Sequence, residues 1–251
     1  MLPFDDASSL PLLYHLNSEP WMNLEAYADP LNEMQFKRMY GVGPSKPLPN
    51  PDFDSPLRRL IRERRSCRSF VEKTMPLSQL GDILANAYGI TGLIENPDGL
   101  KSYARPVPSA GALYPLEVYL AAQMIEGISD GIYHYNAPEH SLELIKRGPG
   151  VKELGEHLLG QYFLNGANAV LLFSAVFERT LRKYGPRGYR YILMEAGHAA
   201  QNVCLLGADL GLSSLCIGGF SDNRLNRYLE LDGNTEAIVY LVGLGCGASG
   251  S

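Results

Sequence analysis

The sequence predicts an α+β protein, a central mixed sheet flanked by helices. Three observations carry that prediction. "NAVLLFSAVF" (168–177) is a continuous apolar run of strand length, as expected of a strand buried on both faces. "YRYILMEAGHAAQNVCLLGADLG" (189–211) places Ile192, Ala196, Ala199, Val203, Leu206 and Leu210 at steps of three and four, the period of a helix with an apolar face. The remaining strand and helix patterns do not alternate as regular βαβ units, which argues against a parallel doubly wound sheet.

Each element has its own local warrant. Residues 1–52 are rich in Pro, Asn, Asp and aromatics and end in "GVGPSKPLPNP", so they read as an extended N-terminal arm with little regular structure. Residues 53–251 read as one domain. Its first helix opens at "DSPLRRLIRERR", with Ser55 as cap, Pro56 at the first helical position and Leu57, Leu60 and Ile61 as the apolar stripe. "LSQLGDILANAYG" is a second helix, with Ser78 as cap, Leu80, Ile83, Leu84 and Ala87 inward, and Gly89 as its stop. "PLEVYLAA" alternates as a strand, and "GIYHYNAPEHSLELI" reads as a hairpin turning at Asn136–Glu139. "VKELGEHLLG" is a short amphipathic helix. "RTLRKYGPRGYRY" (179–191) then reads as a basic turn leading into the long helix. That helix carries a second stripe of small residues (Gly197, Ala200, Cys204, Ala208), suited to close approach by another backbone. A polar stripe of Glu195, His198 and Asn202 lies beside it. "LSSLCIGGF" and "TEAIVYLVGLG" are further strands, separated by helical "NRLNRYLEL".

Composition excludes several classes. The chain has 251 residues, 45% apolar and 20% charged, an ordinary globular balance. A net charge of -5 argues against a general nucleic-acid binder. Cys67, Cys204, Cys216 and Cys246 contain no C-x-x-C pair, so neither a zinc knuckle nor a dithiol motif is expected. Buried reduced thiols and the absence of a secretory signal pattern fit a cytoplasmic protein, and no window approaches the ~18 apolar residues of a membrane span. No G-x-x-x-x-G-K, H-E-x-x-H or G-x-S-x-G motif is present, so phosphate-loop, zinc-hydrolase and serine-hydrolase chemistry lack support.

Four constellations remain. "RERRSCRSF" sets Arg62, Arg64, Arg65 and Arg68 around Ser66, either a solvated basic helix end or a guanidinium site for phosphate. "PSAGALYPLE" is a turn-rich loop feeding a strand; it is a plain loop or a backbone able to approach a flat ligand. "IGGF" (217–220) marks a bend or a close ligand approach. "RTLRKYGPRGYRY" is a solvated turn, an anion clamp or a place where a proton is moved.

In this order, "RRSCRSF", "PSAGALYPLEVYL", "KYGPRGYRYILMEAGHAAQN" and "LGLSSLCIGGF" resemble the nitroreductase-like FMN enzymes. More narrowly they resemble the SagB-type thiazoline/oxazoline dehydrogenases, with "YHLNSEP" and "FKRMYGVGPSKPLP" matching the lead-in of that branch. The resemblance covers roughly Tyr14 to Gly245. It implies an intertwined homodimer with FMN sites built from both chains. Arg64, Arg65, Ser66 and Arg68 would hold the flavin phosphate, ribityl and pyrimidine edge. Pro108, Ser109, Ala110 and Gly111 would come from the partner subunit, and Gly218 and Gly219 would lie against the isoalloxazine. Typical nitroreductases carry a basic pair after the last strand, whereas this chain has no Lys or Arg after Arg227. The phosphate contacts are therefore expected from "RRSCR", or from Arg105 or Arg224.

The resemblance also implies a reaction. Oxidising an azoline to an azole removes a ring proton and a hydride, and Lys183–Tyr184 matches the Lys–Tyr pair of the branch. A lysine acts as base only when neutral, so its pKa must fall from ~10.4 towards 7–8, through burial or neighbouring cations such as Arg182 and Arg187. The substrate would be a peptide or carrier-bound azoline, supplied by a cyclodehydratase or carrier-protein partner. Two other readings stand beside it: an NAD(P)H-dependent nitro- or quinone reductase, and a non-catalytic flavin-binding scaffold subunit. No metal site, nucleic-acid partner or membrane association is expected.

Overall fold

β6 (Ala169–Val176) runs through the middle of the protein because it buries side chains on both faces. The structure is a computed structural model and describes residues 10–18, 45–95, 99, 101–158 and 164–248. β6 pairs with β3 (Leu116–Ala122) on one side and β8 (Glu236–Gly245) on the other. β4 (Gly131–Asn136), β5 (Ser141–Arg147) and β7 (Ser213–Ile217) complete a six-stranded sheet of order β5-β4-β3-β6-β8-β7. All of these strand pairs are antiparallel; parallel pairing among the described residues is confined to isolated bridges, Ser66 to Ser214 beside β7 and Met75 to Ile125.

The alternation along β6 divides the core in two. Leu171, Phe173 and Ala175 face α3 (Leu77–Tyr88) and the long α6 (Arg187–Asp209). Val170 and Leu172 face a second cluster built on α4 (Val151–Leu154) and α7 (Asp222–Tyr228). Burying one such side chain contributes about 1.5–3 kcal/mol, so a strand filled on both faces anchors the layers on either side of it. The expected inward stripes of α3 and α6 are buried or half-buried, including Leu80, Ile83, Leu84, Ile192, Ala196 and Val203.

Several local expectations need correction. Ser78 lies inside α3, whose cap is Pro76, with no side-chain cap bond. Gly89 does end that helix: its N–H donates to Ala85. "RTLRKY" is not a turn but α5 (Glu178–Tyr184), and α6 begins earlier than periodicity suggested, at Arg187. A two-stranded ladder, β1 (Gly92–Glu95) with β2 (Lys101–Ala104), stands where only a loop was expected. α2 (Pro56–Glu63) has its Ser55 cap and Pro56, yet Leu57 and Ile61 are exposed. On α6 the small-residue stripe divides as well. Ala200 and Cys204 are buried, whereas Gly197 is exposed and a Cβ there would meet nothing within 4 Å. Leu193 and Met194 are exposed beside it.

The N-terminal arm includes a helix, α1 (Leu10–Asn17), which packs on the start of α6; the other residues up to 44, apart from Ser18, lie outside the described ones. His15 is the anchor. Its Nδ1 is 3.0 Å from the Tyr189 hydroxyl and its ring lies 5.3 Å from that of Phe177. Burial lowers its pKa below the usual imidazole value. The docked helix therefore favours neutral His15, and docking is fully favourable above the undocked pKa of ~6.5. As pH falls below it, the undocked, protonated state gains. Protection of residues 10–18, corrected for the intrinsic pH dependence of amide exchange, is expected to fall between about pH 7.5 and about pH 5.5, and that of a His15→Phe variant should not change.

Among the described residues, no helix is long and apolar enough to cross a membrane.

Candidate active site

The antiparallel register gathers three connections at one end of the sheet. β3 starts at Leu116 opposite Ala175, near the end of β6, and β8 starts at Glu236 opposite Val176. The loop entering β3 and the helix leaving β6 therefore meet. α5 follows β6 directly, pinned by the Phe177 N–H to the Thr235 carbonyl at 3.1 Å. Gly185 ends it at φ +54, a left-handed value that glycine adopts without a Cβ penalty. Pro186 sets the first turn of α6, and Gly188 lets the two helices pack closely, since a Cβ there would lie 3.1 Å from Thr180 and Leu181 side-chain atoms.

This geometry delivers Lys183 and Tyr184 to the "PSAGAL" loop of the same chain. A Cβ placed on Gly111 would lie 2.8 Å from Lys183 Nζ and 2.7 Å from Tyr184 Oη. The amine sits 5.5 Å from the Tyr184 ring centroid, and that ring packs edge-on against Tyr191 at 5.1 Å. Gly111 has φ +64, and Ala112 and Tyr114 share positive φ at +53 and +45, an uncommon conformation for residues with a Cβ. Lys183 is exposed and Tyr184 half-buried, so the burial expected around the amine is not found among the described residues.

The loop is held from below by a buried carboxyl that sequence reasoning placed on a polar stripe. Glu195 is 2% exposed and accepts from the Tyr88 hydroxyl at 2.6 Å and from the Ser109 hydroxyl. Ser109 Oγ in turn accepts the Tyr114 N–H at 3.0 Å. Burial raises the Glu195 pKa, against the opposing pull of those hydroxyls and Arg105. Glu195 stands three positions after Ile192, a spacing that puts it on the core face of the helix. His198, its expected companion, is exposed. Of the other loop residues, Pro108 is exposed and Ala110 half-buried.

The "RRSCR" and "IGGF" motifs come together elsewhere, along β7. The Cys67 N–H donates to the Ser214 carbonyl at 3.0 Å, which lays the segment after α2 against the strand that runs into Gly218 and Gly219. Arg65, Ser66, Arg68 and Gly218 are exposed; Arg64 and Gly219 are half-buried. Among the described residues, no ion pair ties Arg64, Arg65 or Arg68 to a carboxylate. Gly218 has only the Tyr240 ring near its Cβ direction, at 3.8 Å. Guanidinium groups with a hydroxyl, beside an open backbone, suit a phosphate-bearing flat ligand. Of the two proposed substitute cations, Arg224 is exposed on α7, just after this turn. Arg105 belongs to the other half: it donates to the Tyr88 carbonyl at 2.6 Å and stacks 4.5 Å from the Tyr88 ring centroid. The halves lie on β3 and β7, three inter-strand steps apart in the sheet, or ~14 Å at ~4.8 Å per step.

Beneath the "IGGF" half, Cys204 and Cys216 approach to 3.5 Å between sulfurs. The hydrogen bond from Cys204, then Tyr240 and the Arg64 charge, lower the Cys216 pKa against the upward push of burial, while Cys204 is raised. Half-buried Cys216 is therefore expected to be alkylated before half-buried Cys246 at about pH 7, as peptide mapping by mass spectrometry would reveal. No group of His, Cys, Asp or Glu suited to a metal ion occurs among the described residues.

Comparison with known proteins agrees with this architecture. The nitroreductase family model matches residues 61–246. Protein MJ1384 of Methanocaldococcus jannaschii is 38% identical over 191 residues, 76% of this chain and 92% of that protein. The microcin B17-processing protein McbC of Escherichia coli is 32% identical over 176 residues, 67% of this chain but only 62% of McbC. Among solved structures, the E. coli microcin synthetase McbBCD complex with truncated pro-MccB17 bound superposes with a TM-score of 0.67 at 26% identity, covering 92% of this chain and 84% of the matched one. The chain belongs to the nitroreductase family of oxidoreductases, within its SagB-type branch.

Proposed function

We propose that this protein is an FMN-dependent dehydrogenase that oxidises thiazoline or oxazoline rings in a peptide or carrier-bound intermediate. One observation carries the reading: Lys183 Nζ and Tyr184 Oη converge at Gly111, on a loop whose backbone is open to a flat ligand. Kinship with McbC, a microcin-processing protein, gives that pair a reaction to serve. FMN, when bound, supplies the acceptor for a hydride. Lys183 removes the ring proton, so the substrate loses one proton and one hydride and gains a double bond. Tyr184 orients the ring by a hydrogen bond. Arg64, Arg65, Ser66 and Arg68, aided by Arg224, hold the phosphate end, and Gly218 and Gly219 lie against the isoalloxazine. Pro108, Ser109, Ala110 and Gly111 close the site from a second copy of the chain.

The two-chain site rests on packing. The halves are separated within one chain, Lys183 lies open, and the exposed apolar residues Leu57, Ile61, Leu193 and Met194 border α2 and α6. A homodimer buries them and brings the loop half of one protomer to the β7 half of its partner. The likeness to McbBCD supports a partner that builds the azoline, such as a cyclodehydratase.

The higher identity to MJ1384 favours a second reading, an NAD(P)H-dependent nitro- or quinone reductase. The readings separate experimentally. On the first, protein that carries FMN as purified oxidises a thiazoline peptide with no nicotinamide present. On the second, it leaves that peptide untouched and consumes NAD(P)H with a nitroarene or quinone. Colourless protein unable to take up FMN would contradict both.

A further inference from the structure

α5 carries both Lys183 and Tyr184 but is only seven residues long. A helix of two turns has little stability of its own, so its position is set by what it is tied to. Its one ion pair among the described residues is at its start: Arg179 donates to Glu117 Oε1 at 2.5 Å. Arg179 and Lys183 are four apart and so share a helix face. Glu117 stands in β3, paired in register with Ser174 of the central strand, so it is fixed to the most rigid part of the sheet. Its second oxygen is held too: His134 Nε2 of β4 lies 3.1 Å from Glu117 Oε2, and His134 Nδ1 lies 3.0 Å from Glu143 Oε2 of β5. Burial pushes the Glu117 pKa up, but His134 and Arg179 outweigh it and hold the carboxyl ionised to lower pH than usual. Glu117, His134 and Arg179 also line a cleft of about 460 Å³ together with Ala112, Leu113 and Tyr114, the residues that follow Gly111.

We propose that Glu117 is a positioning residue which, through Arg179, sets the place of α5 and thereby of the Lys183–Tyr184 pair against the Gly111 loop. This rests on the proposed function for its catalytic consequence, though not for its structural one. The carboxylate pairs with Arg179, one helical turn before Lys183. A charged hydrogen bond that is partly shielded from water and held by a third group is firmer than an exposed ion pair. Loss of that bond allows α5 to swing about Phe177 and Gly185, and a displacement of about 1 Å at a reacting group can cost roughly 100-fold in rate.

The test uses the full chain, with and without FMN, in wild type, Glu117→Gln, Arg179→Gln and the swapped pair Glu117→Arg/Arg179→Glu. In FMN-free protein, amides of residues 178–185 in both Gln variants should exchange on the order of tenfold faster, with β6 unchanged. With FMN, kcat for azoline oxidation should fall roughly 10- to 100-fold with little change in KM. The swapped pair should recover most of both. Unchanged exchange in α5 of both Gln variants would overturn the proposal, as would wild-type kcat in an active enzyme that carries Glu117→Gln. Failure of the wild type to oxidise any azoline would instead contradict the proposed function, and the exchange experiment would still decide the role of Glu117.

Discussion

Replacing Lys183 by alanine is expected to cut azoline oxidation by about 10²- to 10⁴-fold, the usual contribution of a positioned general base. Flavin content, thermal stability and oligomeric state should stay near wild type. The structure supports that separation of effects. Lys183 is exposed, and its neighbours at the amine are Gly111 and the Tyr184 ring, not the core. The β7 segment proposed to grip the phosphate is three strands away. A companion change probes the same convergence from the other side. Gly111→Ala puts a methyl group within 3 Å of both functional atoms and at a left-handed φ. It should lower kcat while leaving Lys183 in the chain. Steady-state kinetics with a thiazoline peptide and flavin absorbance of the purified variants check both.

The largest structural effect is expected at Glu195. Glu195→Ala removes the acceptor shared by the Tyr88 and Ser109 hydroxyls and leaves a cavity beside α3. The expected cost is about 2–4 kcal/mol in unfolding free energy, from stranded buried donors together with lost packing. The Ser109–Tyr114 end of the loop should loosen as well, so activity falls with stability. Glu195→Gln separates the terms. Its amide oxygen still accepts a hydrogen bond, and it cannot ionise. Burial raises the Glu195 pKa above its unfolded value of ~4.3, so the folded protein favours the protonated acid. Stability should therefore decline as pH rises from ~4.3 through the raised value and then level off. In Glu195→Gln that decline should vanish, as denaturant unfolding at a series of pH values would reveal.

Much of the frame was legible because it is local. A short run of apolar residues on both faces reads as an interior strand, and the period of Ile192, Ala196, Ala199 and Val203 reads as a buried helical face. Ser55 and Pro56 announced α2 for equally local reasons. What escaped was set by distance. Nothing near Arg179 says that its partner is Glu117, 62 positions earlier, so "RTLRKY" read as a basic turn and α5 was missed. The anchoring of α1 through His15 to Tyr189 spans an even longer separation. Leu57 and Ile61 show the opposite failure. Their apolar stripe was recognised, but both side chains are exposed rather than packed on the core. For the candidate site, the motifs were legible as pieces, and their grouping was not. The sheet order sorts them into two halves, with Lys183 and Tyr184 beside the Gly111 loop and the arginines beside β7.

The most direct test of the proposed dehydrogenase chemistry is anaerobic. Protein loaded with FMN is mixed with a thiazoline peptide in the absence of nicotinamide, and flavin absorbance and peptide mass are followed together. The proposal predicts that the flavin bleaches in step with the loss of two hydrogens from the peptide, one equivalent for one, and that Lys183→Ala does neither at a comparable rate. An oxidised flavin that persists beside an unchanged peptide, while NAD(P)H bleaches it at once, would contradict it.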